Sequence, residues 1–149
     1  MRLREFRSDT MTLPTGRMRD AMRDAELGDD VCGEDPTVNE LQRVSARMLG
    51  TEDALLVPSG TFGNQCAIGV LAGPSDEMIV AETAHVIDHE AGASGALFGV
   101  QVRAVVPRGA RYLEPADVAP RIRVDADDVH QPRTRLVVLE NALADGTVM

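Results

Sequence analysis

Apolar positions along the chain fall into short runs and helical stripes, with no single long hydrophobic segment. Met18, Ala21, Met22 and Ala25 recur at spacings of three and four, which predicts a short amphipathic helix that stops near Gly28 with its methionines on a core or an interface. A second stripe, Val38, Leu41, Met48 and Leu49, runs to Gly50, and Thr37 with Glu40 three residues later has the form of a capping box. Ala54-Leu55-Leu56-Val57 is a continuous apolar run of strand length, read as a buried strand. After Pro58-Ser59-Gly60-Thr61 it gives way to an apolar helix carrying Asn64, Gln65, Cys66, Ile68 and Val70. Gly73-Pro74 breaks the chain. Glu77 to Ala81, Val100 to Val106 and Thr134 to Leu139 read as further strands, the second with Arg103 outward. Between them lie a run of small residues from Ala91 to Ala96, which allows close backbone approach, and a short helix near Pro115 interrupted by Pro120. Strands separated by helical segments of this length predict an α/β fold with a mostly parallel sheet and flanking helices.

Three stretches carry candidate chemistry. A strand that turns through Ser59-Gly60-Thr61 into a helix presents free backbone N–H groups and the positive dipole end, a cradle for an anion such as phosphate. The spacing is neither a Walker loop nor the Gly-x-Gly-x-x-Gly of dinucleotide binders, and a well-capped core helix has the same pattern. His85, His89 and Glu90 follow the C-terminal end of the strand at 77 to 81, the edge where open α/β sheets bind ligands. Helical spacing would put both histidines on one face. A metal pair, with His85 to His89 a loose echo of the zincin motif carrying Asp for Glu, a cofactor-facing histidine with a neighbouring acid, and surface histidines all fit. Phe6 to Thr12 is rich in hydroxyl and carboxylate side chains that bond locally or to a ligand. Gly28 to Thr37 carries four carboxylates and reads as a solvated loop without the calcium-hand spacing.

Composition narrows the function classes. At 149 residues, 44% hydrophobic and 26% charged, the chain can bury one domain's core. A net charge of −9 with no basic run argues against nucleic acid or an anionic membrane as the main partner. No apolar run approaches the ~18 residues of a membrane span and the N-terminus lacks a signal-peptide core, so the expected location is cytoplasmic. Cys32 and Cys66 form neither a redox motif nor a zinc pattern and read as buried or half-buried thiols. All 15 basic residues are arginine, so a mechanism that needs a lysine amine cannot be completed by this chain alone.

Phe6 to Thr12, Gly28 to Asn39, Pro58 to Asn64, His85 with Glu90-Ala91-Gly92, and Asp127 to His130 followed by Arg133 to Leu136 resemble, in order and spacing, the N-terminal part of the low-specificity threonine aldolases. These belong to the β-eliminating lyases, pyridoxal-phosphate enzymes with the aspartate-aminotransferase-like, fold-type I architecture. The resemblance implies the cofactor pyridoxal 5'-phosphate and retro-aldol cleavage of L-threonine or L-allo-threonine to glycine and acetaldehyde. It implies that Gly60 and Thr61 bind the cofactor phosphate, that Ser8 binds the substrate carboxylate, and that His85 stacks on the pyridine ring. His130 would lie at the substrate hydroxyl, and Glu90 would position the group or water that removes the hydroxyl proton. Cys32 stands where the family usually has tyrosine, Ala142-Leu143 where it has Thr-His, and His89 has no family role. The lysine that anchors the cofactor and the small C-terminal domain are expected beyond Met149. The chain then forms part of the large domain, with an arm over about residues 1 to 50 and sheet and helices over about 51 to 149. It is expected to be inactive alone and homo-oligomeric when complete. Another amino-acid lyase of the same fold and a non-catalytic interaction fragment are the alternatives.

Overall fold

The computed structural model describes residues 8–109, 111–123, 128–143, 146 and 148; Phe6, Arg7, Asp125, Ala126 and Asp127 lie outside them. The chain divides into two compact units, Met1–Leu56 and Val57–Met149. Among the described residues, no helix is long and apolar enough to cross a membrane.

In the first unit, helix α1 (Gly16–Asp24) starts where the Thr15 hydroxyl accepts the Met18 N–H at 3.3 Å. No residue of α1 is buried. Met18 and Met22 stand in solvent and are not part of this chain's core, because a stripe of two methionines and two alanines is narrower than a covered helix face. Helix α2 (Pro36–Leu49) begins at Pro36 and not at Thr37. Proline has no N–H to lose at the first helical position, so the cap falls on the residue before it. Asp35 Oδ1 accepts the N–H groups of Thr37 and Val38, each at 2.9 Å, and Oδ2 accepts that of Gly28 at 3.1 Å. The expected capping box is therefore absent. Thr37 Oγ1 donates instead to the Glu26 carbonyl at 2.8 Å, and Glu40 pairs with Arg43.

The acidic loop is thus solvated as expected, apart from the buried Asp35 around which it folds. Gly28 is required there, since a Cβ would sit 2.2 Å from the Glu34 carbonyl oxygen. The N–H groups of Val38, Gly28 and Thr37 hold the Asp35 carboxyl below its ordinary range against the opposing effect of burial. Cys32, in the loop's 3-10 turn, is exposed; Cys66 is half-buried. Gly50 ends α2 in the left-handed region. Residues 54–57 do not form the expected strand. The Leu56 N–H donates to Gln42 Oε1 at 2.8 Å, where a strand would bond a neighbour, and Leu55 and Leu56 are exposed.

The second unit is α/β. It runs through α3 (Gly60–Leu71), β1 (Asp76–Ala81), α4 (His85–Asp88), α5 (Ala93–Phe98), β2 (Gln101–Val105), α6 (Pro115–Val118) and β3 (Arg133–Val138). The sheet is parallel with order β2-β1-β3, so β1 is central and is buried on both faces, as the unbroken run Met78-Ile79-Val80 demands. Period-two alternation splits it. Met78 and Val80 join Ile68, Ala72, Ala84, Val86 and Val100 on the face covered by α3 and α5, while Ile79 packs with Val105 and Leu113 on the other. Residues 93–96 of the small-residue run open α5, and Gly69 of α3 lets that helix approach closely: a Cβ on it would lie 2.5 Å from the Phe98 ring. Arg103 is not outward in the expected sense. It lies on the face of Ile79 and Glu77, with Nε 2.9 Å from Glu77 Oε1, where its guanidinium compensates that fully buried carboxylate.

Candidate functional site

Topology decides which residues meet. Helix α3 leads into β1 and packs back along it, so the start of α3 lies at the same edge as the end of β1, where α4 begins. Ser59 caps α3, its hydroxyl accepting the Phe62 N–H at 3.1 Å, and the Gly63 N–H reaches the Ser59 carbonyl. The N–H groups of Gly60 and Thr61 precede the first intrahelical bond and donate to no protein group among the described residues. A Cβ built on Gly60 would meet nothing within 4 Å, so this helix end is open.

One turn further along α3, Asn64 Nδ2 donates to Glu90 Oε1 and Gln65 Nε2 donates to Glu90 Oε2, both at 2.7 Å. Ser94 Oγ donates to Gln65 Oε1 at 3.3 Å, closing a buried polar chain between α3 and α5. His85 Nδ1 lies 2.8 Å from Glu90 Oε1. The Glu90 side chain has no exposed surface, whereas that of His85 is 46% exposed. Burial pushes the Glu90 carboxyl up, but the hydrogen bonds from Asn64, Gln65 and His85 outweigh it and hold the group below its ordinary range. Glu90 is therefore ionised near neutrality and can only accept. It follows that His85 donates to Glu90 from Nδ1, while nearly half of the His85 side chain stays exposed.

Of the residues singled out from the sequence, Gly60, Thr61, His85 and Glu90 come together at this edge through Asn64. His89 stands beside His85, ring centroids 5.3 Å apart. Among the described residues no group of three or more His, Cys, Asp or Glu is arranged to hold a metal ion. His130 is elsewhere. It precedes β3 at the opposite end of the parallel sheet, its N–H bonded to Asp128 Oδ1 at 2.9 Å, and is not brought to His85. Ser8 belongs to the first unit, exposed, with Oγ 2.9 Å from Thr10 Oγ1. Gln65, Ser94 and Glu140 were missed. Adjacent polar residues in a helix as apolar as α3 were the available signal for Gln65; Ser94 and Glu140 left none that spacing could reveal.

The family model described as Beta-eliminating lyase matches residues 5–149. The chain is 40% identical over 148 residues to low-specificity L-threonine aldolase 1 of Arabidopsis thaliana, covering 97% of this chain and 41% of the relative. It is 39% identical over 137 residues to the low specificity L-threonine aldolase of Escherichia coli (strain K12), covering 92% and 40%. With the enzyme of that name from Saccharomyces cerevisiae the identity is 40% over 140 residues, covering 93% and 36%. The chain thus spans about two fifths of the length of these relatives. With its parallel sheet, its helix start and its histidine at one edge, the chain belongs to the β-eliminating lyase family.

Proposed function

We propose that this edge holds pyridoxal 5'-phosphate and that the chain supplies these residues to a homo-oligomeric threonine aldolase, which cleaves L-threonine or L-allo-threonine to glycine and acetaldehyde. The observation that carries the reading is the junction of an open helix start and a carboxylate-fixed histidine on one sheet edge, tied together by Asn64. The residues fit the cofactor: free N–H groups and a positive dipole end suit its phosphate, and an exposed imidazole suits its ring. When bound, the cofactor supplies an electron sink for the carbanion left at the substrate's Cα.

Gly60 and Thr61 would hold the phosphate through their N–H groups. His85 would lie against the ring, its orientation set by the bond from Nδ1 to Glu90. Both Glu90 oxygens are engaged and the side chain is sealed from solvent, so Glu90 acts through His85 and does not itself touch water or substrate. Nε2 of His85 is the proton acceptor that the edge presents toward a substrate hydroxyl. Ser8 keeps its proposed place at the substrate carboxylate, and His130 is left out of the single-chain site. With no lysine, the chain alone is expected to bind the cofactor without a covalent bond and to show no turnover.

Gly60→Asp tests the cradle. An acid in the first turn favours the helix but repels a phosphate, so the variant should fold as the parent does and bind pyridoxal phosphate about tenfold more weakly or worse. Equilibrium dialysis with inorganic phosphate as competitor reads this; unchanged binding in Gly60→Asp would sink the proposal. Product analysis on an enzyme that carries these residues, acetaldehyde against pyruvate with ammonia, separates aldol cleavage from β-elimination.

A further inference from the structure

His85 is the first residue of a four-residue helix, and the residue before it, Ala84, gives that helix no side-chain cap. A helix of one turn has no stability of its own, so the place of its first residue depends on what ties it down. The ring is tied by Glu90. The backbone is tied by a second carboxylate from the end of the neighbouring strand β3: Glu140 Oε2 accepts the His85 N–H at 3.0 Å across 55 positions of sequence. Glu140 lies two residues past β3, half-buried, in the wall of a small recess with Ala81, Ala84, Leu113 and Leu139. A carboxylate at a helix start meets both an unpaired N–H and the positive dipole end. The end of β3 thereby supplies the cap that the local sequence withholds.

We infer that Glu140 is a positioning residue for His85, fixing the backbone from which the imidazole reaches Glu90 on one side and solvent on the other. The inference rests on the reading of His85 as the functional ring of this edge. A ring held only by Glu90 could pivot about that bond; held also at its own N–H, it presents Nε2 in one direction. Glu140 touches neither substrate nor cofactor in this assignment.

Nuclear magnetic resonance on the nitrogen-labelled chain, without cofactor, tests it. In Glu140→Ala the His85 amide proton should lose its hydrogen-bonded shift, and the Nδ1 proton should exchange about fivefold faster as the ring loosens. Glu140→Gln keeps an acceptor oxygen and should restore both signals. Ring signals unchanged in Glu140→Ala would overturn the inference, leaving Glu140 a helix cap and nothing more. If Glu140→Ala disturbs the amide signals of β1 and β3 throughout, Glu140→Gln decides alone: parent-like ring signals support the inference and altered ones overturn it. Failure of the chain to bind pyridoxal phosphate would remove the functional reading while these signals still report on Glu140.

Discussion

Two carboxylates are closed off from water at opposite ends of the sheet, and they are compensated in opposite ways. Glu77, near the start of β1, is met by Arg103 at 2.9 Å, Arg123 at 3.3 Å, Gln101 at 3.0 Å and Thr134 at 3.2 Å. Glu90, at the other edge, has no arginine. It is met by two neutral amides and one imidazole, and of these partners Asn64 and His85 reach solvent while Gln65 is buried. Burial of a charge is thus no sign of function by itself. A carboxylate neutralised by guanidinium groups joins three strands and has nothing left to offer. One held by neutral donors keeps its charge and directs it through an exposed partner, which is the arrangement expected of a working site.

The largest effect should come from the structural member. Glu77→Ala leaves two arginines without their counter-ion, at a cost of about 3 kcal/mol, the low end for a buried pair because both side chains keep some exposure. Urea unfolding followed by circular dichroism reads it. Replacing Glu77, Arg103 and Arg123 together by methionine should recover most of the loss, since the apolar trio leaves no charge stranded. A Glu77→Ala protein as stable as the parent would break the contrast at its structural end.

Glu90→Gln should cost less, about 2 kcal/mol, because the new NH2 group must face a donor from Asn64, Gln65 or His85. Its second signature is pH. The folded-state value of Glu90 lies below its unfolded one, so its contribution is complete above the unfolded value and disappears as pH falls through the folded one. Stability of the parent should therefore drop more steeply in acid than that of Glu90→Gln. Asp76 and Asp117 shift in the same direction, so the Glu90 share is the difference between the two curves and not the parent's slope. The nitrogen spectrum of His85 should also change from one tautomer to a mixture, and equal acid slopes with an unchanged tautomer would remove Glu90 from the site.

What could be read from the chain follows the range of the interactions involved. The parallel sheet was legible because Met78-Ile79-Val80 and Leu136-Val137-Val138 are apolar runs bounded by turn residues, and the start of α3 was legible because Ser59 caps locally. Residues 54–57 misled: four apolar residues satisfy the strand pattern, but a strand also needs a ladder partner, and Gln42 took the Leu56 N–H. At Thr37 the sequence has the capping-box pattern, yet Pro36 at the first helical position puts the cap two residues earlier, on Asp35. Glu140 and Ser94 act across 55 and 29 positions, separations over which no spacing rule speaks. The family resemblance implied His130 at the substrate hydroxyl, and within this chain strand direction puts it at the other end of the sheet from His85.

The smallest effect probes how far the Glu90 network extends. Ser94 is buried and its hydroxyl donates at 3.3 Å, a long bond, so Ser94→Ala should cost only about 1 kcal/mol, read as a small fall in the urea midpoint. The loss leaves Gln65 Oε1 without its partner but does not free the amide to turn over. A flipped Gln65 would aim its oxygen at the ionised Glu90, where its nitrogen now sits at 2.7 Å. Gln65 should therefore stay in place, and the His85 nitrogen spectrum should match the parent's. If that spectrum changes in Ser94→Ala, the device that sets the His85 tautomer reaches one hydroxyl further into the core. The contrast with Glu77 would then sharpen, since the functional carboxylate would depend on its weakest bond while the structural one depends on its strongest.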